Sequence, residues 1–252
     1  MSVSDKKTKI FLRIAAIVLL ASAAIKILND LIYDIVREIR YGYIRLDLRV
    51  LLHNFSSGRF WNFMLNLMPM ILGFTGAVIL IIAAVMLLLK KLKSAGVLII
   101  AYAVVAAVDN IGYIIVYATK ILPSIGEVSA KYMRSQTLNL IEYVGAFIIL
   151  ILLGLLLMGV FNKISKIMGF VLTGAFVVAW GVVMIGLVKG FVNLSRAIVE
   201  RYETFGVFAT LSNIVFNSTL CLIYIAFALC SLGIALKPRE KAEIPPDNSV
   251  IS

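Results

Sequence analysis

Six stretches of this chain are apolar over about 20 consecutive residues, the length at which a helix rising about 1.5 Å per residue crosses a hydrocarbon core about 30 Å thick. They run Ile10–Leu28, Leu67–Leu89, Gly96–Tyr117, Tyr143–Phe161, Ile167–Val188 and Val207–Leu236. Each is continuously apolar instead of alternating, which points to helices and not to barrel strands, whose side chains change face at every residue. The last run exceeds a simple span, so tilt or protrusion is expected there.

The balance of the chain agrees. Of its 252 residues, 62% are hydrophobic and 15% charged, against about 25% charged in a soluble domain. The expected fold class is an all-α integral membrane protein, a six-helix transmembrane bundle with external amphipathic segments. Residues 1–236 make up the polytopic transmembrane domain, and residues 237–252 a cytoplasmic polar tail of mixed charge, expected to be disordered. A net charge of +11 does not indicate direct nucleic-acid binding, because the basic groups are divided among short loops and not gathered on a soluble domain.

The 24 Lys and Arg residues divide evenly between the two sides when both termini lie inside, so their count does not orient the chain. Their density does. The connections KKLKS and NKISK, with Lys90, Lys91, Lys93, Lys163 and Lys166, are short and basic, as cytoplasmic loops are. Both termini are therefore predicted to be cytoplasmic, in a multi-pass protein of the cell membrane. A competing expectation attaches to KKTKIFLRIAAIVLLASAA, which has the basic start, apolar core and small-residue site of a secretory signal peptide. Cleavage after Ala23 would leave five helices.

Aligning Gly96 with Gly169 superimposes GVLIIAYAVVAAVDNIGY on GFVLTGAFVVAWGVVMIG, and a shift of 83 residues brings Lys26 onto Asp109. The expectation is a threefold internal repeat of helix hairpins, each unit an outward helix, an external amphipathic segment and a returning helix. Residues 188–206 place Phe191, Leu194, Ile198 and Tyr202 on one helical face and Arg196 and Glu200 on another. Residues 31–62 place Ile32, Ile35, Ile39 and Tyr43 similarly, as in helices lying in the interface. The P-x-[DE]-x-x-[KR] signature of mitochondrial carriers, which share such a topology, is absent from the ends of the odd helices.

One run carries an acid. Asp109 interrupts AVVAAVDNIGYIIVY, and a charge near the bilayer centre costs about 2.5–3.5 kcal/mol on insertion scales, so it calls for a partner. Tyr102, Ala106, Asp109 and Tyr113 share a helical stripe, and Ser22, Lys26, Asn29 and Tyr33 form a comparable one on the first helix at similar depth. Lys26 is the expected counter-ion. The sixth helix adds Thr210, Asn213, Asn217, Cys221, Tyr224, Ala228, Ser231 and Ala235 at i,i+3 and i,i+4 spacing. The candidate intramembrane polar layer is thus Lys26, Tyr102, Asp109, Asn110, Tyr113, Asn213 and Asn217, read either as a packing network or as a solute path.

Catalytic chemistry is not indicated. The single histidine, His53, lies in a predicted outer segment, and no H-E-x-x-H, G-x-S-x-G or G-x-x-x-x-G-K-[ST] motif occurs. Cys221 and Cys230 stand nine residues apart on one helix and point to opposite sides. The chain is expected to be no enzyme and to need no cofactor or metal. Pro69 alone interrupts a span, so the broken helices of many transporters are not evident. These features suggest a membrane-embedded subunit of a larger transport or translocation assembly, whose companions besides the lipid bilayer are other proteins or further copies of itself. The alternatives are a self-sufficient channel or carrier for a small solute or ion, and a structural or sensory membrane protein.

Overall fold

A computed structural model of the chain describes residues 3–41, 68–116, 130–199 and 204–237. Among them six helices follow one another: α1 (Val3–Tyr41), α2 (Met68–Leu88), α3 (Leu92–Val116), α4 (Ala130–Met158), α5 (Ser165–Val199) and α6 (Thr204–Ala235). Five of them are long and apolar enough to cross a membrane, and α3 contributes the shorter described stretch Leu92–Val108. Pro69 sits in the first turn of α2, where its missing N–H breaks no helical bond.

The helices outrun the apolar runs that announced them. With 39 residues in α1 and 35 in α5, their lengths are about 58 Å and about 52 Å. The segments read as separate surface helices therefore begin as unbroken continuations, α1 through Tyr41 and α5 through Val199. No proline or glycine interrupts the chain between Leu28 and Tyr41, and amphipathic periodicity reports which face is apolar, not where an axis bends. The remainders of both segments, His53 and the tail from residue 238 lie outside the described residues.

Each helix packs on the next and α1 closes the ring against α6, which also touches α4. The sixth helix is the most buried and α5 the least, and the slightest neighbouring seam lies between α4 and α5. Helix α1 runs unbroken through Ala21–Ala23, with Ala15, Ala16, Leu19 and Ala23 fully buried. Cleavage after Ala23 would strip those side chains from the core.

The bundle has two unlike ends. At the turn end, residues 89–91 join α2 to α3 and residues 159–164 join α4 to α5; residues 42–67, 117–129 and 200–203 connect the helices at the opposite, loop end. Both turns close in the same way. Lys91 N–H donates to Met86 C=O at 2.9 Å and Lys90 N–H to Leu87 C=O at 3.0 Å, while Val160 N–H donates to Leu155 C=O and Gly159 N–H to Leu156 C=O, both at 3.1 Å. These paired bonds satisfy the last carbonyls of α2 and α4 around a left-handed residue, Lys90 with φ 60° in one turn and Gly159 with φ 84° in the other.

Glycines draw the helices together just beyond the turns. A Cβ on Gly96 of α3 would stand 2.5 Å from the carbonyl oxygen of Gly154 of α4, and one on Gly154 would stand 2.7 Å from the Gly96 oxygen. Gly169 of α5 meets α6 likewise, its would-be Cβ 2.9 Å from Ser231 O and 2.7 Å from Ala235 Cβ. One turn on, the hydroxyls of Thr173 and Ser231 bond at 2.9 Å. Lipid tails are as apolar as leucine, so such close backbone contact, with its dispersion and hydrogen bonds, holds membrane helices together.

Candidate functional site

About 15 Å from the turn end, aromatic rings fill the centre. Phe176 of α5 lies 5.5 Å from Phe227 and 6.3 Å from Tyr224, both of α6, and Tyr102 of α3 lies 6.5 Å from Phe227, all as tilted pairs. Such offset geometry aligns ring edges with ring faces. Phe176 and Phe227 are fully buried, and Gly76 of α2 seats the Tyr102 ring, 3.3 Å from where a Cβ would be. Four helices thus meet in one layer of rings at mid-depth.

The polar groups gather about 10 Å nearer the loop end. Lys26 Nζ donates to Asp30 Oδ2 at 2.8 Å along α1, lies 5.9 Å from the Phe216 ring centre of α6, and faces α2 across Gly73, whose added Cβ would come within 3.2 Å of it. Ser212 Oγ of α6 donates to Asn29 Oδ1 of α1 at 3.2 Å. Asn217 Nδ2 donates to Asn213 O at 2.9 Å within α6. Three helices therefore contribute to one cluster: α1 supplies a cation, an anion and an amide, α6 a hydroxyl and a ring, and α2 the space.

Energetically the ion pair is modest. Its side chains retain 18% and 42% of their exposure, and the lysine precedes the acid, the weaker order for an i,i+4 pair on a helix. Exposed pairs of this kind contribute about 0–1 kcal/mol. A double-mutant cycle with Lys26→Met and Asp30→Asn is accordingly expected to give a coupling below about 0.5 kcal/mol in unfolding free energy. A coupling several times larger would mean a far drier site.

Of the candidate polar layer, the cluster includes Lys26; Asn213 and Asn217 bond to each other within α6, with Asn217 near Gly186 of α5; and Tyr102 belongs to the aromatic layer. Asp109, Asn110 and Tyr113 lie on α3 by their backbone, and their side chains, with the expected Lys26–Asp109 pair, lie outside the described residues. Asp30, Asn29, Ser212 and Phe216 complete the cluster. Asp30 was legible in principle, since it stands four residues after Lys26 on the same helix face. The long stripe of α6 divides: Cys221, Tyr224, Ala228, Ser231 and Ala235 are buried, whereas Asn213 is exposed.

The arrangement can hold a polar or charged group toward the loop end, with the ring layer between that cluster and the turn end. Comparisons with protein-family models, with curated proteins and with solved structures gave no match to this chain.

Proposed function

We propose that the chain is a membrane-embedded subunit of a larger transport or translocation assembly, multi-pass in the cell membrane, with no energy-coupling chemistry of its own. In this reading all six helices span and the turn end, dense in lysine, is cytoplasmic. The observation that carries it is an uncovered seam on α5. Ile167, Val171, Gly174, Val178, Gly181 and Ile185 follow in alternating steps of four and three, the spacing of a helix-to-helix seam.

Lipid tails solvate isoleucine and valine as well as a partner helix does, so apolar exposure alone is uninformative. Glycine is different. Gly96, Gly154 and Gly169 lie under a neighbouring helix, whereas nothing stands within 4 Å of a Cβ built on Gly174 or Gly181, and Val178 between them is 68% exposed. Small residues in membrane helices serve close backbone approach, and a helix from another chain fits that need.

Gentle extraction followed by identification of co-purifying chains tests this. Gly174→Leu with Gly181→Leu is expected to release the companions, with the unfolding temperature of the bundle nearly unchanged, because the new side chains enter open space. A native chain that purifies alone and monomeric would overturn the reading. Cross-linking from Val178 distinguishes a second copy of this chain from a different protein.

The polar cluster favours the second reading, a self-sufficient channel or carrier for a small solute or ion. Lys26 gives one of its three N–H donors to Asp30, which leaves others for Asp109 or for a solute entering from the loop end. Flux through liposomes holding only this chain separates the two readings. What supports a repeat, in two of its three units, is the equivalent role of Gly96 and Gly169, each four residues into its helix and each touching the helix that follows.

A further inference from the structure

Among the described side chains, the two ends of the bundle differ in the kind of charge they carry. At the loop end the described side chains include both signs, with Asp30 and Glu142 among Lys26, Lys189 and Arg196. At the turn end every charged side chain among those described is basic. Lys6 and Lys7 lie in the first turns of α1, Lys90, Lys91 and Lys93 cluster at the turn from α2 into α3, Lys166 stands in the first turn of α5 and Lys237 follows α6, all of them exposed. Lys90, Lys91 and Lys93 are three lysines in four residues, a density that Lys6, Lys7 and Lys9 of α1 match, but at the α2–α3 turn all three are exposed whereas Lys9 is half-buried.

A second observation concerns the backbone of that turn. Lys90 takes the left-handed conformation, φ 60°, at the position that Gly159 fills in the other turn with φ 84°. That conformation brings a Cβ against the backbone and is free of strain for glycine alone. Lysine at this position gives up stability that glycine would keep. Its charge recovers part of the loss by lying at the carbonyl end of α2, yet Lys91 and Lys93 repeat the charge just past that end.

We propose that the turn end binds the headgroups of anionic phospholipids, with Lys90, Lys91 and Lys93 as the principal contact. The lysines follow directly on the apolar residues Leu87, Leu88 and Leu89, so in a spanning bundle they emerge at the depth of the phosphates. Each ammonium is a compact donor to phosphate oxygens, and each basic group near an anionic surface strengthens binding about fivefold. Three such groups give about a hundredfold. The inference rests on α2 and α3 crossing the membrane but not on which side the turn faces.

The test uses the full chain in nanodiscs of phosphatidylcholine alone and of phosphatidylcholine with phosphatidylglycerol in equal parts. Thermal unfolding and the retention of phosphatidylglycerol in native mass spectra are the readouts. The native chain is expected to unfold at a higher temperature with phosphatidylglycerol present. Lys90→Gly should unfold higher than native in phosphatidylcholine alone, from relief of the backbone, and yet gain less from the anionic lipid. Lys90→Gly with Lys91→Gln and Lys93→Gln should lose about a hundredfold in affinity for phosphatidylglycerol, while Lys189→Gln with Arg196→Gln at the loop end should keep the full gain. An equal gain in the triple variant, or an equal loss in the loop-end control, would overturn the proposal. So would inorganic phosphate that reproduces the gain in phosphatidylcholine discs, which would mark a site for soluble anions. Loss of a co-purifying acidic protein from the triple variant, with the lipid gain intact, would assign the surface to that protein.

Discussion

Leucine at Gly154 is expected to separate α3 from α4 and to leave the chain aggregated or degraded when expressed. A Cβ at this position already falls 2.7 Å from the Gly96 carbonyl oxygen, and a backbone oxygen cannot rotate away as a side chain does. Overpacking a close contact costs about 1–3 kcal/mol, more where backbone must move, so about 3 kcal/mol is expected here. Gly154→Ala should fall between native and leucine. The control lies on the same helix: Gly145 has nothing within 4 Å of its Cβ position, and Gly145→Leu should unfold within about 0.5 kcal/mol of native. Comparable damage from both substitutions would mean that helix propensity, and not the crossing, explains the loss.

Phe227→Ala should be the most damaging truncation in the interior. The ring is fully buried and contacts both Phe176 and Tyr102, and removing a buried phenylalanine side chain costs about 3–5 kcal/mol where the surroundings cannot collapse. Phe176→Ala should be similar. Because the two rings touch, the double variant should lose less than the sum, by about 0.5–1.5 kcal/mol. The measurement is reversible unfolding in mixed detergent micelles, and strict additivity would deny the contact. The same double variant discriminates between functions: a carrier whose barrier is the ring layer should leak solute when both rings are removed, and an assembly subunit should not.

The apolar runs made the helices legible because hydrocarbon selects for unbroken apolarity. They did not reveal the helix ends, because α1 and α5 remain helical where the sequence turns amphipathic, and no breaker stops either at the membrane surface. The alignment of Gly96 with Gly169 singled out two glycines that both meet the following helix closely. The partner of Lys26 was harder to read. The cost of a charge at mid-membrane directed attention to a second helix, so Asp30, four residues on along α1, was passed over; the Lys26–Asp109 pair itself lies outside the described residues. In α6 the regular polar spacing was visible in full, but its burial was not. The lower half is enclosed by α1 and α5, while Asn213 faces outward near the start of the helix.

Helix α4 is held in an uneven way. It is fastened at Gly154 against Gly96 and tied through residues 159–164 to α5, whereas the Cβ position of Gly145, about 13 Å further on, faces open space. A rotation about the Gly96–Gly154 crossing would act on α4 as on a lever. The long arm, from Gly154 back to Ala130, measures about 36 Å, so a rotation of a few degrees at the crossing moves its far end by several ångströms. Any such rotation would therefore be felt at the end that holds Lys26 and Asp30, and little at the lysine-lined end.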